Sequence, residues 1–283
     1  MEYKHLNNGL EMPPIGFGVF QISDLQVCRQ AVEDAIDVGY RLIDTAAVYG
    51  NEQAVGEAMQ SSGVPRKELF LTTKLWVQDA GYDKAMRAVE SSLQKLKTDY
   101  LDLYLIHRPF SDYYGAWRAM EELYEQRVLR AIGVSNFESA RLVDLVLNNR
   151  ICPAVCQVEC HPFYQQSGAI DLMREYGIQP EGWAPFAEGK HDIFTLPLLT
   201  EIGARYGKSA AQVILRWNTQ RGVIVIPKSI HRSRMEQNIN IFDFTLTEEE
   251  MAAIAKLDRG ETLFSRNDDP DYAKKINQVK IPE

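Results

Sequence analysis

Short apolar runs and stretches of helical period take turns along almost the whole chain, and that alternation restricts the fold more than any other feature. The apolar runs lie at residues 40–43, 69–73, 101–106, 130–134, 154–156, 178–182 and 223–226. Between them, residues 25–38, 82–96, 114–126, 139–147, 169–176 and 209–219 carry apolar side chains at three- and four-residue spacing. A strand, a helix and another strand in succession call for parallel pairing with a crossover helix, which leaves a closed barrel or a doubly wound open sheet. Eight such units close a barrel. The eighth strand is placed within residues 239–242, followed by a helix opened by Thr247 with Glu248, Glu249 and Glu250 in its first turn. Asn8-Gly9, flanked by Tyr3 to Leu6 and Leu10 to Met12, predicts an opening β-hairpin. Residues 259–283 are polar and aperiodic, and an irregular tail is expected there.

The open-sheet alternative lacks its signature. A dinucleotide-binding sheet carries Gly-x-Gly-x-x-Gly between its first strand and helix, whereas Gly16-Phe17-Gly18 has no third glycine at that spacing. The expectation is therefore one (β/α)₈ barrel domain over residues 1–283, with no linker to divide it. A formal net charge of −8 argues against a nucleic-acid partner. The sequence contains neither an apolar leader nor a run near the ~18 apolar residues that a membrane span needs, so no membrane partner and a cytoplasmic location are expected. Cys28, Cys152, Cys156 and Cys160 are too few to staple a chain of 283 residues, so free thiols are expected. The last three stand near His161, but their spacing lacks the close Cys-x₂₋₄-Cys pairs of a zinc knuckle, and no metal is expected.

In a barrel the reactive side chains should stand at the C-terminal ends of several strands. Asp44, Lys74 and His107 each follow an apolar run, and Tyr49 lies five residues beyond Asp44 in the same loop. Ser135-Asn136, Gln157, Trp183 and Lys228 recur at corresponding places further round. A phenol is a poor acid at neutral pH, but an adjacent ammonium stabilises the phenolate and pulls its pKa down. Lys74 would tune Tyr49 in this way, Asp44 would keep Lys74 charged, and His107 would hydrogen-bond a substrate oxygen. Together they offer protonation of a developing alkoxide. No side chain donates hydride, so a reduction would need a nicotinamide.

Five blocks carry a further likeness. They are Gly39 to Ala46 with Tyr49-Gly50-Asn51-Glu52, Thr73-Lys74-Leu75-Trp76, Leu103 to His107, Gly133 to Phe137, and Pro227-Lys228-Ser229. In these blocks the chain resembles the aldo-keto reductases, along nearly all of its length. Trp183 followed by Ala184 and Pro185 looks like the bacterial diketogluconate and methylglyoxal reductase branch, where many other members carry Tyr. The resemblance implies Tyr49 as proton donor with Asp44, Lys74 and His107. It implies Ser135, Asn136 and Gln157 on the carboxamide of a nicotinamide that stacks on Trp183, with Ala184, Pro185 and Phe186 beside the pyrophosphate. Lys228, Ser229 and Arg234 would hold an adenosine 2′-phosphate, which favours NADPH, and Gln237 and Asn238 would meet the adenine.

The same resemblance implies a small-molecule carbonyl substrate and a monomer. Phe20, Trp76 and Arg108 are expected to line the substrate pocket with the tail, and Trp117 is a further candidate. Arg108 stands where many relatives carry Trp, and a cation there favours acidic or polyhydroxylated substrates. Candidate classes are 2-oxoaldehydes, keto-sugar acids and aromatic aldehydes. Two other functions fit parts of the pattern. Lys74 would serve as the Schiff-base nucleophile of a barrel lyase, and some relatives bind the nicotinamide as regulatory subunits without turnover.

Overall fold

The computed structural model describes residues 2–264 and 266–282. The chain opens with an antiparallel hairpin, β1 (Lys4–His5) and β2 (Glu11–Met12), turned at Asn8-Gly9 with Gly9 in the left-handed region at φ +83°. Eight parallel strands follow. They are β3 (Phe17–Gly18), β4 (Leu42–Asp44), β5 (Phe70–Leu75), β6 (Leu103–Ile106), β7 (Ile132–Ser135), β8 (Val155–Glu159), β9 (Gln179–Trp183) and β10 (Ile224–Val225), each paired with the next. The ring closes where Ile15 bridges Val225 in parallel, with Gly16 N–H to Val225 O at 2.8 Å and Gly18 N–H to Pro227 O at 3.1 Å.

The first strand of the barrel is therefore β3, and residues 239–242 do not form the eighth. They lie at the end of a helix and in the turn beyond it. Gly16 fits the seam closely: a Cβ there would stand 2.5 Å from Leu42 Cγ, and glycines interrupt the buried apolar residues Ile15, Phe17 and Val19.

The outer layer comprises α1 (Leu25–Val38), α2 (Glu52–Ser61), α3 (Tyr82–Leu96), α4 (Tyr113–Glu125), α5 (Ser139–Leu147), α6 (Ser167–Glu175), α7 (Pro197–Tyr206), α8 (Ala210–Gln220), α9 (Arg232–Ile239) and α10 (Glu248–Ala255). Local chemistry sets their starts. Asp24 Oδ1 accepts from the N–H groups of Gln26 and Val27 at 2.9 and 3.0 Å, and Ser209 with Gln212 and Thr247 with Glu250 form capping boxes. A final helix, α11 (Pro270–Gln278), corrects the expectation of an irregular tail. Asp269 caps it and Pro270 occupies its first turn, and Ile276 is its one buried residue among those described.

Side chains alternate inward and outward along each strand. Leu42, Phe70, Leu103, Leu105, Val155 and Ile224 fill the barrel, where Leu6 and Met12 of the hairpin join them as a plug. Ile43, Leu71, Tyr104, Ile106, Val134 and Cys156 face the helices and form the larger core with residues such as Val32, Val89, Leu142 and Ile214. Trp117 is wholly buried in that outer core, so it is a packing residue and no part of the pocket. Continued by the same period of two, Asp44, Lys74, Ser135, Gln157, Glu181 and Trp183 belong to the inward rows.

No helix among the described residues is long and apolar enough to cross a membrane. Cys152, Cys156 and Cys160 do not gather around His161. The ring Nε2 lies 2.9 Å from Glu159 Oε1, Nδ1 accepts from Tyr164 N–H at 3.1 Å, and Cys160 Sγ lies 3.4 Å from Asn218 Oδ1.

Candidate active site

Asp44 ends β4, and Lys74 reaches it from the adjoining strand β5. Lys74 Nζ stands 2.6 Å from Asp44 Oδ1 and 2.9 Å from Thr45 O, with both side chains almost completely excluded from solvent. The next loop makes a 3-10 turn, Ala47–Tyr49, that brings the Tyr49 ring over this pair, its centroid 5.2 Å from Nζ. Asn51 pins that loop: its Nδ2 donates to Val19 O and Ile22 O at 3.0 and 3.2 Å, and its Oδ1 accepts from Thr45 Oγ1 at 2.8 Å. His107, just past β6, sets its ring edge-on to Tyr49 at 5.6 Å and to Trp76 at 5.2 Å. The four side chains singled out at strand ends thus converge.

Burial and charge compete at each of them. Burial pulls the Lys74 ammonium toward the neutral form, but Asp44, Tyr49 and Glu181 outweigh it and the pKa moves up. An amine nucleophile must be uncharged to attack a carbonyl, so this setting opposes the Schiff-base reading. Burial raises the Tyr49 pKa; Lys74 pulls it down, Asp44 pushes it up again, and the net shift is upward. The expected pull of Lys74 is present, but it does not prevail. His107 is driven well below the ordinary imidazole range by burial, then by Lys74 and Arg108, so the ring is neutral. Its Nδ1 is buried and has no hydrogen-bond partner among the described residues.

A second group adjoins the first. Asn136, at φ +62°, donates from Nδ2 to Ser135 Oγ at 2.8 Å and to His107 O at 3.0 Å, and its Oδ1 accepts from Trp183 Nε1 at 2.9 Å. Gln157 donates from Nε2 to Asp44 Oδ2 and to Glu181 Oε2, both at 2.9 Å. Glu181 is completely buried, and burial together with the Asp44 charge pushes its pKa up to about 8. Glu181 has one signal in the sequence, an acid two residues before Trp183 on the same inward row of β9.

Ala184, Pro185 and Phe186 lead from β9 into the loop that spans Ala187–Asp192, where Gln21 Nε2 donates to Glu188 Oε1 at 3.2 Å. Beyond β10, Lys228 and Arg234 are exposed cations with no acid within 4.0 Å among the described residues, whereas Arg232 between them pairs with Asp34, Asp37 and Glu236. The Ser229 side chain accepts from His231 N–H at 3.0 Å. Asn238 is buried and Gln237 exposed, the carbonyl of Gln237 accepting from Gln212 Nε2 at 3.0 Å. Two free cations at the start of α9 can hold a phosphate group.

The remaining wall is built by Phe20, Trp76, Arg108 and the tail. The Phe20 ring lies 4.9 Å from that of Tyr49, and Trp76 donates from Nε1 to Val279 O at 2.6 Å. Arg108 stands 5.4 Å from the Tyr272 ring and has no acid within 4.0 Å among the described residues. Three further ties hold the tail: Asn267 Nδ2 to Asn136 O at 2.6 Å, Leu263 N–H to Glu159 Oε1 at 2.9 Å, and Thr262 Oγ1 to Glu159. Phe264 lies 5.2 Å from the Trp183 ring. A cavity of about 560 Å³, large enough for a small ligand, opens among Arg108, Asn136, Glu159, Tyr164, Trp183 and Asn267.

An inward lysine–carboxylate pair beneath a tyrosine, at the C-terminal mouth of a closed parallel barrel, accompanies a match to the Aldo/keto reductase family over residues 14–259. The chain belongs to the aldo/keto reductase family. It is 47% identical over 257 residues to glyoxal reductase of Bacillus subtilis (strain 168), covering 90% of this chain and 92% of that protein. Methylglyoxal reductase of Yersinia pestis is 44% identical over 261 residues, 91% of this chain and 93% of its own. Among solved structures, an aldo-keto reductase from a Medee basin deep-sea metagenome library superposes with TM-score 0.91 at 41% identity, covering 95% of this chain and all of that one. The Bombyx mori aldo-keto reductase in complex with NADP gives TM-score 0.88 at 36% identity, covering 93% and 95%. This aldo/keto reductase is an oxidoreductase, and carbonyl reduction is its chemistry.

Proposed function

We propose that the protein is an NADPH-dependent reductase of small carbonyl compounds, with 2-oxoaldehydes first in line and keto-sugar acids and aromatic aldehydes behind them. The observation that carries the reading is the buried Asp44–Lys74 pair under Tyr49, beside a neutral His107. The 2-oxoaldehydes come first because two of the most similar relatives are named for glyoxal and methylglyoxal.

The residues present fit a nicotinamide dinucleotide. With both amide hydrogens of Gln157 engaged by Asp44 and Glu181, Gln157 Oε1 remains as an acceptor for a carboxamide N–H. Ser135 and Asn136 supply further polar groups, and Trp183 offers an indole face. Lys228 and Arg234, with Ser229, suit a 2′-phosphate, and Gln237 and Asn238 sit one to two turns further along α9 for the adenine side. When bound, the nicotinamide supplies the hydride.

The carbonyl oxygen of the substrate accepts hydrogen bonds from the Tyr49 hydroxyl and from His107 Nε2–H. A neutral imidazole carries one hydrogen; placing it on Nε2 leaves the buried Nδ1 a bare lone pair, which costs less than an unpaired N–H. As charge develops on the oxygen, Tyr49 gives up its proton, and the Lys74 ammonium stabilises the phenolate left behind. Asp44 keeps that ammonium charged and aimed. Phe20, Trp76 and the tail exclude water from the mouth. Consumption of NADPH with a panel of these carbonyls is expected for the wild type, and is lost in Tyr49→Phe while nucleotide binding stays. Tight NADPH binding without turnover of any of them would contradict the reading.

A further inference from the structure

We propose that Glu181 is a positioning residue that fixes which end of the Gln157 side-chain amide faces the mouth of the barrel. The inference rests on the reading of Gln157 as the partner of a nicotinamide carboxamide. An amide side chain is pseudo-symmetric: turned by half a rotation about its last bond, it presents two donors where it had presented an acceptor. Something must choose between the two. In this barrel the choice is made from below. Gln157 Nε2 sits between Asp44 Oδ2 and Glu181 Oε2, 2.9 Å from each, so both oxygens accept from the amide N–H groups.

Glu181 pairs with Gln157 in register on the adjoining strand, so their side chains leave the sheet side by side on the inward row. Asp44 alone would engage one amide hydrogen and leave the other free. Glu181 takes the second and closes the clamp. The groups of this cluster are Asp44, Lys74, Gln157 and Glu181 itself, and Oε1 of Glu181 is buried with no partner among the described residues. A fully buried carboxyl group with an unpaired oxygen is costly, and nothing in packing alone calls for one there. With its pKa raised, Glu181 is mainly the neutral acid at pH 7, whose carbonyl oxygen accepts from Gln157. Glutamine is close in shape and acceptor pattern to that neutral acid; leucine is close in size and has no acceptor.

The test compares Glu181→Gln and Glu181→Leu with the wild type by equilibrium binding of three nucleotides, read by quenching of tryptophan fluorescence. NADP⁺ carries the carboxamide; its 3-acetylpyridine analogue replaces the amide NH₂ by methyl; 2′,5′-ADP lacks the nicotinamide. The wild type is expected to prefer NADP⁺ over the analogue by about tenfold, the worth of one well-made hydrogen bond. Glu181→Gln keeps that ratio. Glu181→Leu lowers it, because Gln157 is then held from one side only, by Asp44, while 2′,5′-ADP binds all three proteins alike. A ratio unchanged in Glu181→Leu overturns the proposal, and so does a loss of 2′,5′-ADP affinity equal to the loss for NADP⁺, which marks general loosening. A wild type that binds NADP⁺ without discriminating the analogue overturns it too and leaves the reductase reading standing. A wild type that binds none of the three overturns both.

Discussion

The Asp44–Lys74 pair lends itself to a double-mutant cycle in which stability and catalysis come apart. At 2.6 Å, with side chains 3% and 0% exposed, the gross attraction at an effective dielectric of ~20 is about 6 kcal/mol. Most of that offsets the desolvation of two charges, so the net worth of the intact pair is small, but removing one partner strands the other. Asp44→Asn leaves a buried ammonium, and Lys74→Met leaves Asp44 next to the acid Glu181. Each is expected to cost about 3–5 kcal/mol of unfolding free energy. The double variant leaves no stranded charge from the pair and is expected to cost less than about 2 kcal/mol, which corresponds to a coupling of about 4 kcal/mol or more. Denaturant unfolding at pH 7, followed by tryptophan fluorescence, measures all four corners of the cycle. Reductase activity is expected to be lost in all three variants, including the stable double. Single costs below about 1 kcal/mol, or costs that simply add, would refute the view that this pair is held charged inside the barrel.

Three further outcomes follow from the same geometry. Lys228→Ala and Arg234→Ala should each lower the preference for NADPH over NADH about tenfold, the value of one charge-assisted contact, measured as a ratio of kcat/KM values. Glu181→Gln should gain stability relative to the wild type as pH rises from about 4.5 toward 8. The folded pKa of Glu181 lies above the unfolded one, so its favourable contribution is complete below pH 4.5 and fades toward 8. The slope is at most about 1.4 kcal/mol per pH unit, and parallel stability curves for the two proteins would contradict it. Trp76→Ala removes the donor to Val279 O and a wall of the pocket, and should raise KM for aldehydes about tenfold while Kd for NADPH stays the same.

The barrel was legible wherever a strand or helix carried its own pattern. Residues 25–38, 82–96 and 139–147 coincide with α1, α3 and α5, since each helix turns a full apolar stripe to the core. Seven strands fell on apolar runs for the same reason. β3 did not, being two residues long and held by backbone bonds across the seam to Val225 and Pro227. Residues 239–242 carry Ile239, Ile241 and Phe242 and so offered a weak strand, but Ile241 is buried where α9 turns into the next loop. α2 was missed because small residues such as Ala54, Gly56 and Ala58 make up much of its buried face, and α11 because Ile276 is its one buried residue among those described. Asp44, Lys74 and His107 could be placed at the mouth because each ends or follows a run, and Tyr49 because it lies five residues beyond Asp44. The clamp of Glu181 on Gln157 could not, since it joins side chains from different strands and serves a third, Asp44, 113 residues away from Gln157.

The tail's fastenings bear on how such a barrel diversifies. Trp76 holds it on one flank of the opening, while Asn136 and Glu159 hold it on another. Its own apolar contacts form a small cluster, Ile276 and Ile281 with Trp76, Val77, Val48, Phe110 and Tyr272, apart from the cores that make the barrel stable. A single short stretch of polypeptide therefore borders the mouth through contacts that stand apart from the cores of the barrel. Changes confined to residues 266–282 are expected to alter the border of the mouth while leaving the barrel's own cores untouched.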